Sequence, residues 1–208
     1  MYLYVHVEEP SMAEAAGILV PRILNITEDQ FRVIDHGSKA ALLRDIGKRF
    51  SGYARRLENT EDLRILVLVD RDEDDCRVLK QRLEQIAKAS GLVSKTRARS
   101  GQTFRVVNRI VCEELEAWFL GDVAALRGAY PRVPASLGDK ARFRNPDDIR
   151  GGTWEALLKV LNDAGYYRGQ QRLPKIEVAR RVAPGLEIAG NRSASFSAFV
   201  NGLRAIMG

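Results

Sequence analysis

Five consecutive apolar residues, Ile65-Leu66-Val67-Leu68-Val69, stand immediately ahead of Asp70-Arg71-Asp72-Glu73-Asp74-Asp75. An apolar run of that length, with no polar residue alternating through it, is the pattern of a strand buried on both faces. Such strands belong to parallel sheets covered by helices on either side; a strand with one wet face would alternate. The surrounding pattern agrees. Tyr2 to Val7 and Phe31 to Ile34 favour strands, and a further strand falls between Phe104 and Cys112. Between them, Met12, Ala15, Ala16, Leu19 and Ile23 share one helical face, as do Leu43, Ile46, Phe50, Tyr53 and Leu57. Leu79, Leu83 and Ile86 mark a third helix that stops near Gly91. The first half therefore reads βαβαβαβ, an α/β fold with a mostly parallel sheet flanked by helices.

The second half changes character. Pro131 to Gly152 holds three prolines and reads as loop-rich. Thr153 is expected to cap a helix carrying Trp154, Leu157, Leu158 and Leu161 that ends at Gly165. A second helix runs from Lys175 through Ala183, and a third carries Phe196, Phe199, Val200, Leu203 and Ile206. These stripes read as core, not as a cofactor pocket. The expected organisation is an α/β core over 1–125 with a loop-rich segment and C-terminal helical lobe over 126–208, packed as one domain.

Several function classes are disfavoured. No apolar run approaches the length of a membrane span, and the N-terminus reads as a strand, without the basic start and small-residue cleavage site of a signal peptide. Cys76 and Cys112 have no metal-ligand spacing and make no disulfide framework, so a cytoplasmic protein with reduced thiols is expected. The formal net charge is +6 but unevenly spread. Cations gather at Arg97, Arg99, Arg105 and Arg109, and again at Arg142, Arg144, Arg168, Arg172, Lys175, Arg180 and Arg181. A concentrated anionic cluster within a basic chain suits a cation site that meets a polyanion such as DNA or RNA.

The acids themselves are placed informatively. In parallel α/β sheets, functional residues gather beyond the carboxyl ends of the strands. Glu8 follows the first strand and Asp70 the third, so both fall at one edge. Asp70 and Asp72, spaced i, i+2, can converge on one cation with Glu8. Hard carboxylate oxygens select Mg²⁺ or Mn²⁺, which keep water positions for substrate phosphate. An EF-hand loop is excluded because its sixth and twelfth positions are Asp75 and Gln81 instead of Gly and Glu. A haloacid-dehalogenase-like phosphatase, with Asp70 as nucleophile, remains the enzymatic alternative. Asp74 and Asp75 read as acids at a helix start, favourable to its dipole.

Glu after strand one, followed by Asp-x-Asp after a later strand, resembles the Toprim domain of topoisomerases, primases and OLD-type nucleases. Val5-His6-Val7-Glu8-Glu9-Pro10-Ser11 is similar to the opening of Toprim-like proteins. Glu113-Glu114-Leu115-Glu116-Ala117-Trp118 and Asn191-Arg192-Ser193-Ala194-Ser195-Phe196 resemble stretches of a Toprim-like family. Glu9 stands where that pattern usually has glycine, and Met12 near where an acid or hydroxyl is common. The resemblance implies a Mg²⁺- or Mn²⁺-dependent nuclease held together by Glu8, Asp70, Asp72 and Glu116, with Glu113 and Glu116 sharing a helical face. It also implies a basic residue on the phosphate, for which Lys175 is the first choice and Arg192 the second. An AAA-type or OLD-type ATPase partner and a role in phage defence follow from the same resemblance. A non-catalytic nucleic-acid-binding or sensor module on the same fold is the other alternative.

Overall fold

In a computed structural model, which describes residues 1–59 and 62–207, the chain folds around one four-stranded, all-parallel sheet. The strands are β1 (Tyr2–Val7), β2 (Phe31–Asp35), β3 (Leu63–Asp70) and β4 (Val106–Val111), in the order β2-β1-β3-β4. Helices α1 (Pro10–Leu24), α2 (Lys39–Glu58) and α3 (Cys76–Ala89) connect them. After β4 come α4 (Glu116–Leu120), α5 (Val123–Ala129), α6 (Thr153–Asp163), α7 (Lys175–Val182) and α8 (Ala194–Met207). The α/β architecture and parallel sheet expected from the Ile65–Val69 run are what the structure shows. Every residue from Ile65 to Asp70 is buried.

Period-two alternation along the strands divides the core in two. Leu3, Val5, Val7, Leu66 and Leu68 face α1 and the C-terminal helices, in a cluster containing Leu19, Trp118, Phe196 and Leu203. Ile65, Val67 and Val69 face the other way, onto Leu42, Ile46 and Phe50 of α2 and Leu79 and Leu83 of α3. Among the described residues, no helix is long and apolar enough to cross a membrane.

Two local expectations are corrected and one is sharpened. Gly152, at φ +84°, caps α6, while Thr153 lies inside the helix and donates its hydroxyl to Glu114 Oε2 at 2.9 Å. The loop-rich segment contains three short 3₁₀ turns, at Ala135–Asp139, Ala141–Phe143 and Pro146–Asp148. Glu113 is not helical: it sits at φ +60°, and the helix begins only at Glu116.

Strand β4 ends the sheet, and its outer edge is blunted. Lys95 N donates to Val106 O at 2.8 Å, and Lys80 Nζ donates to Asn108 O. Lys80 also pairs at 2.9 Å with Glu84, whose buried carboxylate accepts from Asn108 Nδ2 at 3.0 Å and from Ser94 Oγ. Burial pushes the Glu84 pKa up, but these donors outweigh it and hold the group below its ordinary value. Lys80 is itself held below its ordinary value by burial, and it acts on Glu84 together with the hydroxyl of Ser94 and the amide of Asn108. A depressed folded-state pKa stabilises above the unfolded value and loses that effect as pH falls. Glu84→Gln is therefore expected to cost about 1.5 kcal/mol in urea unfolding at neutral pH. The cost should shrink as pH falls below 4.5, the carboxyl's ordinary value; a pH-independent cost would count against this account.

Candidate metal centre

In the order β2-β1-β3-β4, the connection out of β1 runs to one side while β3 lies on the other. The gap beyond the carboxyl ends of β1 and β3 is thus the switch point of the sheet, where loops diverge and leave a crevice. Val7 pairs with Leu68 in register, which brings Glu8 and Asp70 to the lip of that crevice from adjacent strands. Beyond Asp70 the chain turns through Asp72, at φ +48°, a left-handed conformation that Asp tolerates better than most side chains. The turn is tied to the neighbouring strand end: Arg71 N donates to Val111 O at 2.8 Å and Asp72 N to Glu113 O at 3.1 Å. Carboxylate oxygens of Glu8, Asp70 and Asp72 consequently lie within 4.8 Å of one another.

Glu9, the departure from the Toprim-like pattern, has φ −138° and ψ 160°. This is ordinary extended backbone, so glycine is not required there. Asp75 caps α3, accepting from the amides of Arg77 and Val78 at 2.8 and 3.0 Å, and Asp74 pairs with Lys39 at 2.9 Å. Both stand apart from the three clustered acids.

The electrostatics of this arrangement are one-sided. Glu8 is 6% exposed and Asp70 2%, while Asp72 is exposed. Burial, reinforced by the charge of Asp72, pushes the Glu8 carboxyl up to about 8. Burial together with Glu8 and Glu116 pushes Asp70 well above the usual carboxylate range. Glu116 is fully buried, and that burial lifts it to about 8 although Lys175 opposes the shift. Glu8 Oε2, Asp70 Oδ1 and both Glu116 oxygens have no hydrogen-bond partner. Buried unpaired carboxylate oxygens are costly unless something positive satisfies them.

Two lysines partly balance the acids. Lys39, the first residue of α2, approaches Asp72 Oδ2 to 2.7 Å and donates to Arg71 O at 3.0 Å. Lys175, the first residue of α7, lies 3.3 Å from Glu114 Oε1, 3.7 Å from Glu9 Oε1 and 3.9 Å from Glu116 Oε2. Burial works against the charge of Lys175, but Glu116, Glu9 and Glu114 outweigh it and raise its pKa. Seven carboxylates, those of Glu8, Glu9, Asp70, Asp72, Asp74, Glu114 and Glu116, thus surround two ammonium groups.

Glu8, Asp70 and Asp72 are therefore brought together, whereas Glu116 reaches the same crevice beside Lys175. Glu113 turns away and pairs with Arg71. Arg192 is occupied structurally, donating to Gly138 O at 2.9 Å. Several other cations singled out in the sequence are also engaged: Arg105 with Asp62, Arg109 with Ala198 O, Arg180 with Glu14 and Arg181 with Glu177. Lys39 and Glu114 were not foreseen. Glu114 accepts from Thr153 Oγ1 and Trp154 N, so it joins Lys175 to the start of α6. The available signal for Lys39 was its place at a strand-to-helix junction on the same sheet edge. A cleft of about 490 Å³, lined by Asp72, Glu114, Arg150 and Trp154 among others, opens beside the cluster.

A model of the family described as "Domain of unknown function (DUF4276)" matches residues 7–204. No curated protein matches the chain. Among solved structures, the chain is similar to the C-terminal region of the Xanthomonas campestris pv. campestris OLD protein. Against the iodine-phased structure the identity is 18%, covering 99% of this chain and 95% of that one, with a TM-score of 0.47. Against the platinum-phased structure the values are 17%, 99%, 93% and 0.45.

Proposed function

We propose that this chain, which belongs to the DUF4276 family, is a Toprim-like metal-dependent nuclease that hydrolyses phosphodiester bonds in DNA or RNA. The observation that carries the reading is the convergence of Glu8, Asp70 and Asp72 at the switch point, with buried oxygens lacking any partner. The donor set fits a hard divalent cation: all three groups are carboxylates, and Mg²⁺ or Mn²⁺ is the ion of choice for such a set. Glu8, Asp70 and Asp72 would hold it, with Glu116 reaching the same crevice through Asp70. A divalent ion supplies charge against a phosphoryl oxygen and makes a water easier to deprotonate.

The chain's own residues supply the rest. Lys175 is held by three carboxylates yet keeps 26% of its side chain exposed, so its ammonium can meet a phosphate oxygen entering the crevice. Glu116, buried beneath it, fixes where that ammonium sits. Lys39 anchors the Asp72 turn so that its carboxylate stays aimed at Glu8 and Asp70. Glu8 and Glu116 retain protons near neutral pH without a cation, so cation binding releases protons and tightens as pH rises. An ATPase partner of the AAA or OLD type and a role in phage defence belong to the same proposal, on the sequence resemblance.

Manganese titration followed by electron paramagnetic resonance tests the site. Binding is expected in the native chain and lost in Glu8→Gln, with cleavage of plasmid DNA or structured RNA lost alongside it. Undiminished cleavage by Glu8→Gln, or cleavage in chelator, overturns the assignment. Covalent labelling of Asp70 by small phosphate esters would instead identify a dehalogenase-like phosphatase.

A further inference from the structure

The net positive charge of this chain lies on one layer. Residues 39–58 and 76–105, which comprise α2, α3 and the segment after it, hold fourteen Lys and Arg against three Asp and Glu. That is a net +11 in a chain of net +6, so the remainder is net −5. Lys48, Arg55, Arg77, Lys88, Arg97 and Arg99 are exposed, and none forms an ion pair among the described residues.

The layer is also oriented. All strands end at the metal edge, so α2 and α3 both start there and run away from it. Lys39 at the head of α2 touches Asp72, and Asp75 at the head of α3 belongs to the acidic loop. The two helices lie side by side, with Ser90 Oγ donating to Gly47 O at 3.4 Å. Lys95, bonded to the first residue of β4, places the Arg97 and Arg99 segment at the far end of the sheet. Twenty residues of α2 span about 30 Å. That length corresponds to about nine base pairs of duplex.

From this we infer that the α2–α3 layer is a docking track for the backbone of double-stranded nucleic acid, leading to the metal centre. The inference rests on the nuclease reading for its substrate class and adds where the substrate lies. Nine of the fourteen cations are arginines, the side chain best matched to phosphate. An anionic membrane would call for an apolar stripe beside the charge, and a folded protein partner for aromatic or aliphatic anchors. Among the described residues of this layer, the one exposed large hydrophobic side chain is Val78.

The test uses full-length protein carrying Asp70→Asn, in chelator, with a fluorescein-labelled 20-base-pair DNA duplex followed by anisotropy between 50 and 200 mM salt. Combining Lys48→Glu, Arg55→Glu, Lys88→Glu and Arg97→Glu is expected to weaken binding at least about tenfold. The slope of log affinity against log salt should fall by about three to four. The milder pair Lys48→Gln and Arg55→Gln should lower that slope by about two, with circular dichroism and melting temperature unchanged. Lys159→Glu with Arg204→Glu, on the opposite layer, should alter neither quantity. Unchanged affinity in both track variants, equal loss in the opposite-layer variant, or phosphatidylserine vesicles binding in preference to duplex overturns the proposal. Binding is read without metal, so its failure leaves the nuclease reading to the manganese and cleavage experiments.

Discussion

Asp70→Asn is expected to reduce metal-dependent hydrolysis by at least about a hundredfold and, in chelator, to raise the melting temperature of the protein. Both effects have one origin. Asp70 feels the charges of both Glu8 and Glu116 and is nearly inaccessible to water, with one carboxylate oxygen unpartnered. Without a cation it is a buried group that cannot ionise without repelling two others. An amide of the same shape removes that conflict, and each kcal/mol recovered is worth roughly 2–4 °C in a chain of this size. The pH dependence has a definite sign. A carboxyl whose folded-state pKa is raised stabilises below its unfolded value, and that stability is lost as pH climbs through the folded value. For Glu8 the two values are 4.5 and about 8, as they are for Glu116. Chelated wild-type protein should therefore melt at progressively lower temperature from pH 5 to pH 8. Saturating Mg²⁺ or Mn²⁺ should cancel the decline, and Asp70→Asn should reduce it. A chelated wild type with a flat profile, or an asparagine variant that melts lower, would sink this account.

The second large effect is structural. Trp118→Ala is expected to cost about 3–5 kcal/mol in urea unfolding, against about 1–2 kcal/mol for Trp118→Phe. Trp118 is 1% exposed, stacks on Phe199 at 4.8 Å and meets Phe196 edge-on at 5.1 Å. Its Nε1 donates to Ser195 Oγ at 3.0 Å, and its carbonyl accepts from Asn191 Nδ2 at 2.8 Å. Ser195 and Ser193 in turn donate to Asp147, so one side chain joins α4, the start of α8 and the turn before Ile149. Gly121 sits against this network so closely that a Cβ there would collide with Asn191 Oδ1. Phenylalanine keeps the stacking and loses the bond to Ser195, whereas alanine loses both and leaves a void. A cost below about 1 kcal/mol for alanine would show that the three segments are joined by other contacts.

These two residues also mark what could be read from the chain alone. Asp70 follows an apolar run whose burial dictates a parallel strand, and parallel strands fix where their carboxyl ends point. Glu8 and Asp72 followed from the same logic. The Asn191 to Phe196 motif was visible but its meaning was not: its polar atoms bond to Asp147 and Trp118, contacts that only the tertiary fold creates. Helical spacing failed at Glu113 because the left-handed turn there postpones the helix by three residues, and periodicity carries no information about such a turn. Lys39 and Glu114 were missed because a charge is recognised as part of a site only once its opposite is known to be near.

The hydrogen bonds from Arg71 N and Asp72 N to Val111 O and Glu113 O continue the β3–β4 ladder past Asp70, the last residue of β3, and the second of them also past Val111, the last of β4. The acidic turn is therefore a continuation of the sheet, and its amide protons should exchange with solvent on the slow time base of the sheet's interior. A cation arriving there meets a preformed set of oxygens. Its capture should show no concentration-independent lag of the kind that accompanies the ordering of a loop.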